Sequence, residues 1–332
     1  MSITRRVFCA SAVAVGLIGG AGKSYSQDLT PISFRLDWSL YGSHAPFYLA
    51  VKEGLYEEAG LSVTVGEGQG SATVAQLIAQ GNDQLGFVDF GTMVRGVEQG
   101  MPIKAVARVL SNVMCVISHD DAPVNNPKEL AGKIVAFGPA ESTGLVFPGL
   151  LAYSDVDPAS VSIINPATGA KNSLFLQHRA DAIPANVNVQ IAQLEAAGAK
   201  VHYFLMSDYG IQQMNNGIVG NSDFIAKNPE AVKGFIAATA KAFEMAQQNP
   251  EAAVDALIES VAGQARNKDV LLRQLELTLP LLGTEATQGK PFGWMAESDW
   301  EQTQDVLVRY MGMAKALPVD KFYTNDFIGS QQ

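Results

Sequence analysis

The sequence predicts an α/β protein made of two α/β domains that face each other across a cleft. Short segments with a two-residue hydrophobic period alternate with amphipathic helical segments over most of the chain, and long helices follow beyond Ser222. Two breaks in the strand pattern, at Ser111-Asn112 and at Asn215 to Gly220, are typical of segments that cross between domains. These observations favour two domains joined by two crossovers, with the ligand site between them.

The two crossovers set the predicted domain limits. Residues 27–111 and 222–332 form the first domain, which includes the carboxyl-terminal helices, and residues 112–221 form the second domain. Hinge closure of two such domains around a ligand is an established mode of conformational change. The predicted strands cover residues 32–36, 61–65, 84–88, 103–110, 113–118, 134–137, 161–164, 182–186 and 201–206.

The amino terminus predicts an export signal over residues 1–26. Arg5-Arg6 precedes an apolar run from Val7 to Ile18, and small residues end the segment before Gln27. The run is shorter than the roughly twenty residues that span a bilayer. Paired arginines after Thr4 resemble a twin-arginine signal, and ordinary Sec export remains open. We therefore expect a periplasmic protein.

Composition excludes a nucleic-acid-binding role. The chain has 332 residues, enough for two domains, and its formal net charge of −10 gives a surface that repels nucleic acid and anionic lipid. Loss of the signal would remove three basic residues and no acid. Cys115 would then be the only cysteine, which rules out an internal disulfide.

The first loop carries an unusual cluster of polar and aromatic side chains. Asp37, Trp38, Tyr41, His44 and Tyr48 follow the strand that ends near Leu36. In α/β sheets, ligands bind at the carboxyl ends of strands. Aromatic residues and single histidines more often serve packing, but their clustering on one loop favours a ligand site.

Two glycine-flanked turns lead into helix amino termini. Gly70-Ser71 precedes the helix over residues 72–80, with Ser71 as a plausible N-cap, and Ser142-Thr143 precedes the helix over residues 145–153. Free backbone N–H groups at such termini suit an anion or a carbonyl oxygen. The spacing lacks the third glycine of the dinucleotide fingerprint and the Gly-Lys-Ser/Thr of a P-loop.

Four further residues complete the predicted site, because each lies where a strand or turn meets a polar loop. They are Asp89, Phe90, Glu141 and Asn186. Asp37, Asp89 and Glu141 are also candidate paired carboxylates of an enzyme, although Asp89 at a strand end is more often an N-cap. The sequence has no histidine spacing typical of metal sites and no G-x-S-x-G elbow, so we expect neither a metal nor a cofactor.

Residues 30 to 328 resemble the SsuA/THI5-like (NMT1/THI5) family of periplasmic solute-binding proteins. The resemblance rests on a D-W-x5-H-x3-[YF] loop followed by G-x-Y-x3-G-L in RLDWSLYGSHAPFYLAVKEGLYEEAGL, on NPKELAGKIVAFGP, and on DW…LPVDKFYTNDFI. It implies a type II periplasmic-binding-protein fold. It also implies delivery of a small solute to an ABC permease in the inner membrane.

The resemblance also bears on ligand and activity. Family members that bind thiamine-precursor pyrimidines or flavins carry Asn three residues after the Trp, where this chain has Tyr41. The pyrimidine-synthesis enzymes of the THI5 type need a Lys and a His where this chain has Val88 and Thr92, and a cysteine-rich cluster that is missing between Asn215 and Phe224. The resemblance therefore favours a binding protein without enzymatic activity.

We expect the ligand to be a planar aromatic or heteroaromatic molecule with at least one carbonyl or carboxylate, either pyrimidine-like or an aromatic carboxylate. Trp38 and Tyr48 would stack on it, and the two helix amino termini would hold its polar end. The alternative is a compact anion of the sulfonate or nitrate type, held at the helix termini alone. We expect a monomer whose partner is a permease, and a sensor kinase as partner remains open.

Overall fold

The computed structural model describes residues 29–138, 141–167 and 170–329, and its strands form two sheets. The predicted signal over residues 1–26 lies outside the described residues. The strands are β1 (Thr30–Arg35), β2 (Leu61–Gly66), β3 (Leu85–Asp89), β4 (Ile103–Arg108), β5 (Met114–His119), β6 (Ile134–Ala136), β7 (Ser162–Ile164), β8 (Ala182–Asn186), β9 (Val201–Leu205) and β10 (Asn216–Asn221). The α/β prediction is confirmed.

Helices follow most strands and cover the sheets. They are α1 (Ala45–Lys52), α2 (Leu55–Glu58), α3 (Ser71–Ala79), α4 (Phe90–Glu98), α5 (Ser142–Tyr153), α6 (Lys171–Leu176), α7 (Val187–Ala196), α8 (Ser222–Lys227), α9 (Pro229–Gln248), α10 (Pro250–Ser260), α11 (Lys268–Thr278) and α12 (Glu297–Tyr310). None of the helices in the described ranges combines the length and apolar character needed to span a membrane.

Both sheets are parallel except for one strand each. The first has the order β2-β1-β3-β10-β4, with β10 antiparallel to both of its neighbours. The second has the order β7-β6-β8-β5-β9, with β5 antiparallel to both of its neighbours. The chain crosses from β4 to β5 and returns before β10, so each antiparallel strand is the one that follows a crossover. The chain leaves the first sheet after Arg108 and enters the second at Met114, and the predicted crossover at Ser111-Asn112 lies between these two residues.

The return crossover lies earlier than predicted. We expected it at Asn215 to Gly220, but residues 216–221 form β10 within the first sheet. Asn-Asn-Gly is typical of a turn, whereas here Gly217 is required because a Cβ would lie 2.5 Å from the Ala107 carbonyl oxygen. We therefore propose that the second domain ends before Asn216.

The carboxyl-terminal helices contact both halves of the molecule. α9 packs on α1 and the first sheet, whereas α11 packs on α7 and α12 packs on both α4 and α5. Buried polar contacts reinforce this junction: the Asn188 amide donates to Ser43 Oγ at 2.9 Å, and Ser43 Oγ lies 2.6 Å from Thr278 Oγ1. The loop after β1 is thereby fixed between the two halves.

Candidate functional site

A cavity of about 750 Å³ lies between the two halves, within the usual size range of small-molecule sites. Its wall comes from the loop after β1, the first turns of α3, α4 and α5, the start of α6, and the segment from β8 into α7. The carboxyl ends of β1 and β3 therefore face those of β6 and β8, as expected for ligand sites in α/β sheets.

Ten of the thirteen residues predicted for the site lie on this wall. They are Asp37, Trp38, Tyr41, Gly70, Ser71, Asp89, Glu141, Ser142, Thr143 and Asn186. The remaining three, His44, Tyr48 and Phe90, are not among the lining residues. Their expected ligand contacts are corrected below.

His44 holds Asp37 in place and does not face the cavity. The ring is fully buried, and its Nδ1 accepts a hydrogen bond from the Tyr41 backbone N–H at 3.4 Å. Nε2 therefore carries the proton and donates to Asp37 Oδ1 at 2.8 Å. Asp37 also accepts hydrogen bonds from the Tyr41 hydroxyl at 3.2 Å and the Asn216 amide at 3.0 Å.

Tyr41 is a buried donor to the same carboxylate. Burial raises the pKa of Tyr41 well above its usual value, and the charge of Asp37 and the hydrogen bond to it act in the same direction. The hydroxyl consequently stays protonated near neutral pH. Asp37 is thus a carboxylate whose orientation is set by three neighbours.

Tyr48 and Phe90 pack inside the first half of the molecule. Tyr48 lies on α1 and is almost fully buried; burial, with a contribution from the charge of Glu67, raises its pKa to about 12. The ring of Phe90 packs against Trp300, with centroids 4.8 Å apart. Neither ring is available for stacking in the cavity.

Trp38 presents the large aromatic face of the cavity wall. Its side chain is 42 % exposed although it lines the cavity. The indole lies beside Gly70, where φ is +115° and an added Cβ would be 3.5 Å from Trp38 Cζ3. Gly68 allows the close approach that positions this loop, because a Cβ there would clash with the Leu36 carbonyl oxygen.

Backbone hydrogen bonds fix the Trp38 loop against the turn before α3. The Gly68 N–H donates to the Trp38 carbonyl at 3.2 Å and the Gly70 N–H donates to the Asp37 carbonyl at 2.8 Å. The predicted N-cap is displaced by one residue, because Gly70 is the N-cap and Ser71 is the first helical residue. Ser71 Oγ instead accepts a hydrogen bond from the Asp89 backbone N–H at 3.0 Å.

Asp89 is the N-cap of α4, as is usual for an acidic residue at the end of a strand. Its Oδ1 accepts from the Thr92 N–H at 2.8 Å and from the Thr92 hydroxyl at 2.9 Å. Burial, together with the charge of Asp37, raises the pKa of Asp89 despite these hydrogen bonds. Oδ1 is therefore engaged by the first turn of α4, whereas Oδ2 accepts one long hydrogen bond from the Gln213 amide at 3.5 Å.

Glu141 forms a largely buried ion pair with Lys171, a residue that the sequence analysis missed. Lys171 Nζ lies 2.5 Å from Glu141 Oε2 and donates to the Pro184 carbonyl at 2.8 Å. The Lys171 side chain is 6 % exposed and that of Glu141 is 17 % exposed. This pair joins the start of α5 to the start of α6 on the second side of the cavity.

The cavity wall is also rich in carboxamides, of which the sequence analysis predicted Asn186 and missed the others. Three carboxamide oxygens on lining residues are buried without a hydrogen-bond partner in the described part of the chain: those of Asn172, Asn186 and Gln213. Other lining amides are Gln69, Gln76, Gln99, Gln190 and Gln193. The sequence offers only a weak indication that Asn172 and Gln213 line the cavity, because neither residue belongs to a turn that leads into a helix.

The cavity wall combines one exposed indole with polar side chains and the starts of helices. Within the described ranges, no group of three or more His, Cys, Asp or Glu side chains is placed to hold a metal ion. α3 and α5 begin at the cavity; the N-cap of α3 is Gly70, which has no side chain, and the side chain of Glu141, the N-cap of α5, does not accept from its helix. Their first backbone N–H groups can therefore donate to a ligand oxygen.

Three relatives match this chain over most of its length. The formylaminopyrimidine-binding protein of Halalkalibacterium halodurans is 23 % identical over 84 % of this chain and 85 % of its own length. The riboflavin-binding protein RibY of Chloroflexus aurantiacus is 24 % identical over 86 % of this chain and 82 % of its own length. A 4-amino-5-hydroxymethyl-2-methylpyrimidine phosphate synthase of Legionella pneumophila is 22 % identical over 90 % of this chain and 92 % of its own length.

The fold is that of periplasmic binding proteins of type II. The periplasmic aliphatic sulphonate binding protein SsuA of Escherichia coli superposes with a TM-score of 0.70 at 13 % identity, over 92 % of this chain and 95 % of its own. The profile described as NMT1/THI5 like matches residues 42–253, more than half of the sequence. This chain therefore belongs to the NMT1/THI5-like family.

Proposed function

We propose that this protein is a periplasmic solute-binding protein that captures a small planar heteroaromatic compound in the cavity between its two halves. The observation that carries the proposal is the exposed indole of Trp38 on the cavity wall. Stacking on such a face contributes about 0.5–1.5 kcal/mol beyond area burial. Two relatives whose names state a pyrimidine and a flavin ligand support the same class.

The polar wall narrows the chemistry of the proposed ligand. The exposed lining carboxamides of Gln69, Gln76 and Gln99 offer oxygens that can accept hydrogen bonds from ligand N–H groups. The free N–H groups at the starts of α3 and α5 call for a ligand carbonyl or carboxylate oxygen. A heteroaromatic ring with an amino group and a carbonyl meets both requirements.

A compact anion fits the wall less well. Three carboxylates, Asp37, Asp89 and Glu141, line the cavity, and the Lys171 ammonium is already paired with Glu141. These carboxylates repel an added negative charge that does not lie close to Arg95, the other cation on the wall, and a compact anion has no ring whose stacking on Trp38 would offset that repulsion. We therefore place sulfonate and nitrate second.

A thermal-shift screen tests the ligand class. We expect stabilisation by pyrimidines, flavins or aromatic carboxylates, because a ligand at about 100 times its Kd adds roughly 2.7 kcal/mol to the free energy of unfolding. Alkanesulfonates serve as the comparison set. Shifts confined to those sulfonates would reject the heteroaromatic class.

We infer that the protein binds its ligand without converting it. The inference rests on Val88 and Thr92, which replace the Lys and His that the synthesis enzymes need, and on the absence of cysteine between Asn215 and Phe224. Because a pyrimidine phosphate synthase is among the relatives of this chain, turnover has to be tested directly. Repeated turnover of a bound pyrimidine, detected by mass spectrometry, would contradict it.

We further propose that residues 1–26 direct export and that an ABC permease receives the ligand. The proposal rests on Arg5-Arg6 and the apolar run that follows. We expect mass spectrometry of the exported protein to find an amino terminus near Gln27. A cytoplasmic protein that retains Met1 would contradict this expectation.

A further inference from the structure

The ligand cavity extends beyond the surroundings of Trp38, along the groove between α3 and α4. On α3 the wall continues as far as Gln76. On α4 the lining residues recur at helical spacing: Gly91, Thr92, Arg95, Gly96 and Gln99. The cavity is therefore longer than one heterocyclic ring, and its volume of about 750 Å³ leaves room for a substituent on that ring.

Arg95 is a cation on this wall that has no partner in the described part of the chain. The other charged lining residues are engaged. Lys171 pairs with Glu141, Asp37 accepts hydrogen bonds from three neighbours, and Asp89 caps α4. Arg95, by contrast, forms neither a salt bridge nor a side-chain hydrogen bond with any residue that the structure describes. Its side chain lines the cavity and is partly exposed, so its donors are open to a ligand.

The surroundings of Arg95 are polar but carry no acidic lining residue nearby. Gln99, one turn further along α4, and Gln76, on α3, are exposed carboxamides whose NH₂ groups can donate to a ligand oxygen. Met101 lines the cavity beside them, and its Sδ would lie 2.9 Å from a Cβ added at Gly96. Its thioether offers apolar surface to the methylenes of a ligand.

Arg95 is separated from the ring that would stack on Trp38. The indole lies beside Gly70, the N-cap of α3, and the start of α4 is adjacent because Ser71 Oγ accepts from the Asp89 N–H. Arg95 follows Asp89 by six residues, which is roughly 9 Å along the helix axis at about 1.5 Å per residue. A single ring is narrower than this separation, whereas the arm of a ring-linked pentanoic acid spans a distance of this order.

We propose that Arg95 selects ligands whose ring carries an acidic arm, and that its guanidinium binds a carboxylate at the end of that arm. The planar fork of a guanidinium matches the two oxygens of a carboxylate. One positive charge balances one carboxylate, whereas a phosphate would bring about −1.5 to −2 charges to a wall that already holds three carboxylates. The inference rests on the function proposed for the cavity and adds a residue that determines specificity.

Two pairs of probes test the inference by isothermal titration at neutral pH and constant ionic strength. Each pair links one ring to pentanoic acid or to pentanamide, and the rings are cytosine, linked through N1, and isoalloxazine, linked through N10. We expect the acid of a ring that binds to have an affinity about tenfold higher than its amide, because only the acid forms a charge-assisted bidentate contact. In Arg95→Gln the acid and the amide should bind equally, with the affinity of the amide unchanged.

Controls separate the contact at Arg95 from a general effect of charge. Arg266 is an exposed arginine outside the cavity wall, and Arg266→Gln should keep the tenfold preference for the acid. Cytosin-1-ylacetic acid, whose arm is too short to extend to Arg95, should bind no more tightly than its amide. A preference for the pentanoic acid that persists in Arg95→Gln would overturn the inference. A butyl phosphate of cytosine that binds more tightly than the pentanoic acid would overturn the choice of carboxylate.

The same titrations distinguish failure of this inference from failure of the proposed function. Equal affinities of acid and amide in the wild type, for a ring that binds, would reject the role of Arg95 and leave the heteroaromatic site standing. If neither the acid nor the amide of either ring binds, the proposed heteroaromatic function fails and the inference fails with it.

Discussion

Trp38→Ala is expected to weaken binding of a planar heteroaromatic ligand by tenfold or more. The indole is the exposed aromatic face of the cavity wall, since Tyr41 also lines the wall but is buried, and Tyr48 and Phe90 are packed elsewhere. Loss of stacking and of apolar area together should cost about 1.4 kcal/mol or more, which corresponds to that factor. Isothermal titration of wild type and variant with the best compound from the thermal-shift screen measures the effect.

Matched variants show whether the effect is specific. Trp38→Phe should recover part of the affinity, because a smaller ring still stacks. Tyr48→Phe should leave the affinity unchanged, since Tyr48 does not line the cavity. An unchanged affinity in Trp38→Ala would contradict the stacking arrangement, and an equal loss for an alkanesulfonate would show that the substitution disturbs the whole site.

Lys171→Met is expected to give the largest loss of stability among the substitutions considered. The ammonium is almost fully buried and pairs with Glu141. Removing one partner of a buried pair leaves the other charge uncompensated, which costs about 3–5 kcal/mol. Because the Glu141 side chain is 17 % exposed, water can reach it, and we expect the lower end of that range.

Urea unfolding curves measure this loss, with two controls. The double variant Lys171→Met with Glu141→Gln removes both charges and should be more stable than Lys171→Met alone. Lys52→Met breaks an exposed pair, in which Nζ lies 2.7 Å from Glu259 Oε2, and should barely move the midpoint. A midpoint for Lys171→Met equal to that of Lys52→Met would show that the buried ion pair contributes no more to the free energy of unfolding than the exposed pair.

Much of the cavity wall was predictable from short-range pattern. Trp38, Gly70, Ser142 and Asn186 each follow a strand or start a helix, and the carboxyl ends of parallel strands must gather at one edge of a sheet. The alternation of strands and helices likewise indicated the α/β class. These inferences need only local periodicity and one topological rule.

The errors arose where a local pattern had two interpretations. Asn215 to Gly220 has turn composition, yet it pairs with β3 and β4, which are distant in sequence. His44 and Tyr48 are close to Trp38 in the chain, but they lie on the side of the loop and of α1 that packs inward. Packing of α1 against α9 and α10 decides that orientation, and no local signal reports it.

The sequence by itself determined the α/β class, the first crossover and the loops that surround the cavity, because hydrophobic period and turn chemistry act over a few residues. Only the tertiary structure decided which polar groups are paired. Lys171 pairs with Glu141 and Asn216 with Asp37, whereas Arg108 has no acidic partner among the described residues. The two pairs join segments far apart in the chain, so their energies depend on distances and burial that exist only after folding.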